Sequence, residues 1–210
     1  MLADAMARQL AQPRGLLGRL AGRLMDRFNR VMHASALSAL GVQRGDRVLE
    51  IGFGGGATLD PLLRAARPGA VVGLELSTTM VGRARRHYRS ALEEGRLELR
   101  LGSAEYIPFP DESFDRVLTI NTLYFWPDAA RALGEIYRVL RPGGRFVLAL
   151  RPKQGLQRGH AEEHGFILRE DAEVQALLQD AHLRIVALDR HDDDRLGHTV
   201  VVAEKASRAG

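Results

Sequence analysis

The chain has 210 residues, 45% of them hydrophobic and 27% charged, which fits one globular domain with room for a small extension. Cysteine is absent, which excludes disulfides, thiolate nucleophiles and cysteine metal sites and favours a cytoplasmic location. The formal net charge is +4, and the sequence has no lysine-rich tail, no nucleic-acid motif and no long apolar run. We therefore expect neither a nucleic-acid partner nor a transmembrane segment.

Residues 1–40 have a helical pattern. Apolar side chains recur at steps of three and four on one face: Leu17, Leu20, Leu24, Phe28 and Val31. We interpret the segment as a helical extension that packs by this face on a domain formed by residues 41–210. Two alternatives remain: a lid over the active site, formed by residues 15–33, and a helix on a membrane surface, which would give peripheral membrane contact.

Residues 48–56 read VLEIGFGGG and follow a turn at residues 41–46. The apolar run predicts a buried parallel strand, and the glycines Gly52, Gly54 and Gly56 predict a turn that lets a ligand touch the backbone. A helix is predicted at residues 58–66, so the glycines join the end of a strand to the start of a helix. Such a junction presents free N–H groups and favours a nucleotide-type ligand.

Strands and helices then alternate along the chain. Further strands are predicted at residues 70–76, 96–101, 114–121, 145–150, 183–188 and 199–204, and helices at residues 77–92, 127–140 and 170–181, with a polar, irregular stretch at residues 152–169. This rhythm predicts an α/β fold: a doubly wound, Rossmann-like, seven-stranded and mostly parallel sheet. The short link at residues 191–197 favours an antiparallel last strand.

Glu75 ends the second predicted strand, close to the spacing of about 20 residues from a glycine turn at which an acid binds ribose hydroxyls. A carboxylate there can accept two hydrogen bonds from a ribose diol. The alternative is a solvent-exposed acid at a strand end. The loop at residues 102–105 follows the third strand and would lie beside the glycine turn, where it could contact a base ring.

Four motifs together resemble one family. They are E-x-G-x-G-x-G at residues 50–56, the acid Glu75, GSAEYIPFPDESFD at residues 102–115 and EIYRVLRPGGRFVLAL at residues 135–150. In this order they are similar to class I S-adenosylmethionine-dependent methyltransferases, and most similar to the small-molecule type 11 group, which includes quinone-ring C-methyltransferases. The resemblance covers about residues 44–151.

The resemblance implies S-adenosylmethionine as the cofactor. It implies that Gly52, Gly54 and Gly56 approach the methionine part of the cofactor. It places Glu50 below the glycine turn, where it orients that loop, and it places Glu75 on the ribose hydroxyls.

The resemblance also implies an adenine site. Leu76 is expected against the adenine ring, and the Ala104 N–H at the ring edge. Ser103 stands where the family usually has an acid that contacts the adenine amino group, and a hydroxyl gives a weaker, neutral contact there. Asn121, at the end of the fourth strand, is expected near the reacting methyl group.

Methyl transfer needs few special residues, because the sulfonium carbon is already electrophilic and the acceptor attacks it in line. We expect catalysis mainly by positioning, with a small molecule as acceptor. A general base is needed only if the acceptor must lose a proton; the candidates are Tyr124, His160 and His164, each of which also has a structural or surface interpretation. No histidine–carboxylate spacing indicates a metal.

Two other functions fit part of the sequence. Gly52, Gly54 and Ala57 also satisfy G-x-G-x-x-A, so a Rossmann-fold NAD(P)-dependent oxidoreductase is one alternative. Ser103 is the feature that would fit a non-catalytic module that binds the cofactor. The acceptor and the oligomeric state are left open by the sequence.

Overall fold

A computed structural model describes residues 29–157, 161–192 and 197–207 of the chain. Within these ranges, seven strands form one sheet: β1 (Arg47–Ile51), β2 (Ala70–Glu75), β3 (Leu97–Leu101), β4 (Phe114–Ile120), β5 (Leu140–Leu150), β6 (Arg184–His191) and β7 (His198–Glu204).

The helices of the described residues cover both faces of this sheet. They are α1 (Arg30–Leu40), α2 (Leu59–Ala66), α3 (Thr78–His87), α4 (Arg89–Glu93), α5 (Ala129–Val139), α6 (Lys153–Gln157) and α7 (Asp171–Asp180), with short 3₁₀ turns at Leu123–Phe125 and Ala161–His164. None of the described helices is both long and apolar enough to cross a membrane.

The strand order is β3-β2-β1-β4-β5-β7-β6. Strands β1 to β5 pair in parallel, and β7 runs antiparallel to both of its neighbours, β5 and β6. The predicted doubly wound sheet with an antiparallel last strand is therefore confirmed. Because the strand order reverses between β1 and β4, the carboxyl ends of these two strands define the position at which such folds bind ligands.

The central strands of the sheet are buried on both faces, as their apolar runs predict. Leu49 and Ile51 of β1 face the core under α5 and α7, whereas Val48 faces the core under α1, α2 and α3. Alternate side chains of a strand point to opposite faces, so a strand with helices on both sides must be apolar throughout. Glu50 is the exception in β1, and it is also buried.

Two element boundaries differ from the prediction. The helix predicted at residues 77–92 is two helices, α3 and α4, which meet at Tyr88, whose hydroxyl donates to the Gly56 carbonyl at 3.0 Å. The strand predicted at residues 145–150 begins earlier, at Leu140, and contains a bulge at residues 141–144, because Gly143 N–H donates to Lys205 O and Lys205 N–H to Gly144 O.

The predicted N-terminal extension is described only from residue 29, and residues 1–28 lie outside the described part. Helix α1 packs against β4, β5 and β7 through Met32, Ala36 and Leu40. Val31 belongs to the predicted apolar face, but its side chain is 39% exposed. The prediction of a buried Val31 is therefore wrong, since the buried face of α1 is rotated by one residue.

Candidate functional site

A cleft of about 220 Å³ opens at the carboxyl ends of β1, β2 and β4. Its walls come from the glycine turn after β1, the ends of β2 and β3, the segment after β4 and the start of α1. The cleft therefore lies at the switch in strand order, where the alternation of strands and helices predicted a ligand site.

The glycine turn has the left-handed backbone that its sequence predicts. Gly52, Gly54 and Gly56 have φ angles of 74°, 49° and 83°. A Cβ atom at Gly52 would overlap the Thr122 side chain, whereas a Cβ at Gly54 would meet no atom within 4 Å. Gly52 is thus required by protein packing, and Gly54 presents open space to the cleft.

Glu50 joins the two ends of the glycine turn. Its carboxylate lies 3% exposed at β1 and accepts a hydrogen bond from the Thr58 hydroxyl, which is equally buried at the start of α2. A buried carboxylate is stabilised by such hydrogen bonds. The contact fixes the entry and the exit of the turn relative to each other.

Glu75 links the glycine turn to the end of β2. Its Oε2 accepts from the Gly54 N–H at 2.9 Å, and its Oε1 accepts from the Ser77 N–H at 2.9 Å. An ionised carboxylate offers about four acceptor positions, so two remain for a bound diol. The side chain lines the cleft.

The residues predicted to form the adenine site also line the cleft. Leu76 is 61% exposed, and Ala104 is buried. The Ser103 hydroxyl accepts from the Glu105 N–H at 3.2 Å and so closes a turn in its own loop. The described structure therefore brings Leu76, Ser103 and Ala104 to one side of the cleft.

Asn121 lies at the end of β4 with a φ angle of 56°, a left-handed conformation that asparagine tolerates better than most residues. Its N–H donates to Ala149 O at 2.9 Å, and its Oδ1 accepts from the Tyr124 hydroxyl at 3.3 Å. Asn121 lines the cleft beside Thr122.

Tyr124, a predicted candidate base, does not line the cleft. Its ring is 4% exposed, and its hydroxyl bonds to the backbone N–H and carbonyl of Arg151. Burial raises the pKa of the Tyr124 phenol well above its usual value, so the group holds its proton at neutral pH. These contacts favour a structural role.

The other two candidate bases cannot be placed in the same way: His160 and the side chain of His164 lie outside the described residues.

Besides the predicted cofactor residues, the cleft lining includes Asn29 and His33, from the start of α1, and the aromatic residues Phe125 and Trp126. Asn29 and His33 come from the start of α1, more than 80 residues away along the chain from the two aromatic residues. An aromatic pair after β4 is typical of a pocket wall. The predicted lid at residues 15–33 includes Asn29 and His33, but no local pattern shows which of its side chains reach the cleft.

The aromatic residues are supported from behind by the segment after α6. The Phe125 and Phe166 rings meet at 4.6 Å between centroids, and the Ile167 N–H donates to Tyr124 O at 2.9 Å. Arg169 Nη1 donates to the Leu123 carbonyl at 3.1 Å. The stretch predicted as polar and irregular thus holds the wall of the cleft in place.

Arg151 fixes the start of α1. The guanidinium is 5% exposed; Nη2 donates to Asn29 Oδ1 at 2.9 Å and Nη1 to Gly197 O at 2.7 Å. Burial, and then the positive charge of Arg151, lower the pKa of His33 to about 4. The His33 imidazole is therefore neutral at pH 7.

The described residues contain no group of three or more His, Asp or Glu side chains that could hold a metal ion.

Comparison with known proteins identifies related sequences. A family model described as "Methyltransferase domain" matches residues 49–148. The chain is 30% identical over 135 residues to the uncharacterized methyltransferase YdaC of Bacillus subtilis, and the match covers 64% of this chain and 72% of that protein. It is 36% identical over 123 residues to a fatty-acid O-methyltransferase of Mycolicibacterium smegmatis, covering 59% of this chain and 43% of the other.

Most of the curated relatives are longer. A demethylmenaquinone methyltransferase of Symbiobacterium thermophilum is 34% identical over 131 residues, which cover 58% of this chain and 52% of that protein. The chain thus spans about half the length of these larger relatives.

Solved structures show the same fold. A Haloferax volcanii protein in complex with the Trm112 methyltransferase activator superposes with a TM-score of 0.80 and 24% identity, over 90% of this chain and 94% of the other. A geranyl diphosphate C-methyltransferase of Streptomyces coelicolor, with S-adenosyl-L-homocysteine bound, gives a TM-score of 0.73 at 14% identity, over 86% of this chain and 80% of the other.

Proposed function

This chain belongs to the S-adenosylmethionine-dependent methyltransferase family, and from that premise we propose that it transfers a methyl group from S-adenosylmethionine to a small-molecule acceptor. The observation that carries the proposal is the environment of Gly54. Its α-carbon faces open space in the cleft, while its N–H is held by Glu75. A glycine backbone, which has no side chain to block a ligand, beside a carboxylate at a strand end suits a ligand with a ribose diol.

The cofactor sites follow from these contacts. Gly52, Gly54 and Gly56 would take the methionine part, and the two free acceptor positions of Glu75 would take the ribose hydroxyls. Glu50 holds the turn in shape from below through Thr58. A glycine turn and a ribose-binding acid would also fit an NAD(P)-dependent oxidoreductase, and the match of residues 49–148 to a methyltransferase model supports the family interpretation over it.

The adenine would lie between Leu76 and the loop that follows β3. The exposed apolar side chain of Leu76 would be covered by the ring, which offsets the cost of its exposure. The Ala104 N–H and the Ser103 hydroxyl are the polar groups of that loop. The Ser103 hydroxyl accepts from the Glu105 N–H and has a second lone pair, with which it would accept from the adenine amino group.

When bound, S-adenosylmethionine supplies an electrophilic methyl carbon. The chain's own contribution is to hold the acceptor in line with that carbon and to exclude water. Phe125 and Trp126 form an apolar wall, and Asn121 lies at the end of β4 next to it. Good positioning supplies up to roughly 7–11 kcal/mol, so no further catalytic group is required for an acceptor without an acidic proton.

The small size of the acceptor is supported by the relatives, since the names of two of them describe methylation of a fatty acid and of demethylmenaquinone. The structural neighbour with a bound protein activator supports the fold only. We further propose a cytoplasmic location, which the absence of cysteine supports.

The test compares binding of S-adenosylhomocysteine and NADH by calorimetry in wild type, Gly54→Ala and Gly45→Ala. Gly45 also has a positive φ angle, 92°, and open space around it, but it lies outside the cleft. Both variants should lose about 1–2 kcal/mol of unfolding free energy from left-handed strain. Wild type should bind S-adenosylhomocysteine and not NADH, and only Gly54→Ala should lose affinity, by tenfold or more.

Binding of NADH, or equal affinities for S-adenosylhomocysteine in the two glycine variants, would contradict the proposal. Tight binding without transfer to any member of a broad acceptor panel would instead favour a non-catalytic cofactor-binding module.

A further inference from the structure

Among the described residues on the acceptor side of the cleft, one group can exchange a proton. Asn29 and His33 of the first turn of α1 face the same cleft as Phe125 and Trp126. The two aromatic rings and the apolar parts of the wall offer no acceptor or base. Within the described lining of this part of the cleft, His33 is therefore the side chain suited to general-base catalysis.

The backbone around His33 is firmly held. Its N–H donates to the Asn29 carbonyl at 2.8 Å, and the Asn29 side chain is in turn fixed by the buried Arg151. Arg151 belongs to the end of β5 and also bonds to the Gly197 carbonyl before β7. The imidazole is thus presented from a helix that is tied to two strands, as precise placement of a catalytic group requires.

We propose that His33 is a catalytic residue that accepts a hydrogen bond from the acceptor and takes its proton, and that the acceptor is an apolar ring bearing a phenolic or enolic hydroxyl. The inference rests on the proposed function and names the substrate class of that site. The aromatic wall fits the ring, and the neutral imidazole offers one ring nitrogen as hydrogen-bond acceptor.

The proton balance is simple. As the acceptor oxygen forms its bond to the methyl carbon, the carbon–sulfur bond breaks with its electron pair left on sulfur, and the hydroxyl proton passes to the imidazole. The imidazolium then returns the proton to water, so the products are the methyl ether, S-adenosylhomocysteine and one proton.

A weak base is sufficient for this step. An oxygen that gains a methyl group becomes strongly acidic, so the proton moves downhill even to an imidazole whose pKa is lowered to about 4. The nearby Arg151 charge favours rapid loss of that proton afterwards. Among the described residues, the other ionisable groups of the cleft and its surroundings are Glu50, Glu75, Arg151 and the buried Tyr124.

The experiment uses the full chain with S-adenosylmethionine and four probe acceptors: phenol, 2-naphthol, 4-nitrophenol and 2-hydroxy-1,4-naphthoquinone. Wild type should methylate at least one hydroxyl. In His33→Phe and His33→Gln, kcat should fall about 100-fold or more, the usual size of general-base catalysis, with S-adenosylhomocysteine affinity within twofold of wild type. The control is His87→Gln, an exposed histidine outside the cleft, which should keep the wild-type kcat.

The pH profile separates a base from a residue that only fills space. For phenol and 2-naphthol, which stay protonated from pH 6 to pH 8, the neutral hydroxyl reacts when the base is present, and kcat/KM should be flat over this range. Without it only the ionised acceptor reacts, so in His33→Gln the rate should rise tenfold per pH unit below the acceptor's own pKa. In wild type saturated with S-adenosylhomocysteine, NMR signals of His33 should shift on addition of 2-naphthol, and those of His87 should not.

An unchanged kcat in both His33 variants, parallel pH profiles, or no transfer to any probe hydroxyl would overturn this inference. Failure of wild type to bind S-adenosylhomocysteine would overturn the proposed function instead, so the two failures are distinguishable.

Discussion

At the scale of a single residue, Glu75 makes two contacts that serve different parts of the structure. One oxygen holds the Gly54 N–H of the glycine turn, and the other holds the Ser77 N–H at the start of α3. The ribose interpretation considers only the ligand, whereas the structure adds a contact that shapes the turn itself. Removal of the carboxylate therefore affects both the ligand contact and the order of the turn.

We expect Glu75→Ala to weaken S-adenosylhomocysteine binding by about 1.5–3 kcal/mol, the range for hydrogen bonds to a charged group, and to leave the fold intact. Calorimetry measures the affinity and circular dichroism the fold. Glu98→Ala, on the outer strand β3, is the control and should bind like wild type. An unchanged affinity in folded Glu75→Ala would refute the ribose role.

A substitution at Ser103 tests the predicted adenine site. We expect Ser103→Asp to keep the turn, because an aspartate can accept from the Glu105 N–H as the serine does. Its second oxygen should then accept from the adenine amino group. Binding of S-adenosylhomocysteine should tighten more than binding of an analogue without that amino group. Ser90→Asp, on the outer helix α4, is the control; equal gains for both ligands would remove the proposed contact.

The sequence alone was enough to assign to the cleft those residues whose backbone freedom or charge is distinctive. The glycines and the two acids Glu50 and Glu75 are of this kind, because their spacing follows from one strand–turn–helix unit. His33 lies in the segment predicted as a possible lid, but its role could not be assigned, since its place depends on how α1 crosses three strands. For Tyr124 the contacts with Arg151 favour the structural interpretation over the candidate base, and the sequence could not show this because burial of a hydroxyl depends on tertiary contacts.

At the scale of elements, helix α1 combines packing and site formation. Its buried face covers the sheet, while its first residues reach the cleft. The division into an extension at residues 1–40 and a domain at residues 41–210 stays a prediction. The described part of that extension belongs to the core of the sheet.

The lid interpretation of residues 15–33 also stays a prediction, with residues 15–28 outside the described part. If the segment closes over the cleft, its amide hydrogen exchange in the full-length protein should slow when S-adenosylhomocysteine binds, since a lid gains order from its ligand. Exchange in the buried part of α1 serves as the internal control. Identical exchange with and without ligand would exclude a lid.

Element types were predictable because apolar runs, glycines and prolines act locally. The bulge at residues 141–144 was not, because it is created by pairing with Lys205, more than 60 residues later in the chain. The break between α3 and α4 likewise depends on the contact of Tyr88 with Gly56. Both errors arise where a distant partner overrides a local preference.

At the scale of the whole molecule, ionisable groups make stability depend on pH. The pKa of His33 falls from 6.5 to about 4 on folding, so the unfolded chain binds the proton more readily. This group stabilises the fold fully above pH 6.5, and its contribution is lost as the pH falls toward 4. Hydrogen bonds from Arg138 hold the pKa of Glu135 below its usual value, so its contribution is lost at lower pH.

We therefore expect the free energy of unfolding to fall between pH 6.5 and pH 5 in wild type, and to fall less in His33→Gln. Urea denaturation at fixed ionic strength measures both. His87→Gln, an exposed position on α3, is the control for the substitution itself. A His33→Gln curve parallel to wild type over this range would show that His33 does not titrate differently in the folded state.

The position of β7 has a consequence for the order in which the chain is made. β7 lies between β5 and β6, and the Gly197 carbonyl before it holds Arg151, which holds Asn29. The strands that carry the glycine turn, Glu75 and Asn121 leave the ribosome first. At about 5–20 residues per second, β7 follows roughly 4–17 seconds after β4. During synthesis the cofactor half of the cleft can therefore assemble before the half that contains His33 is anchored.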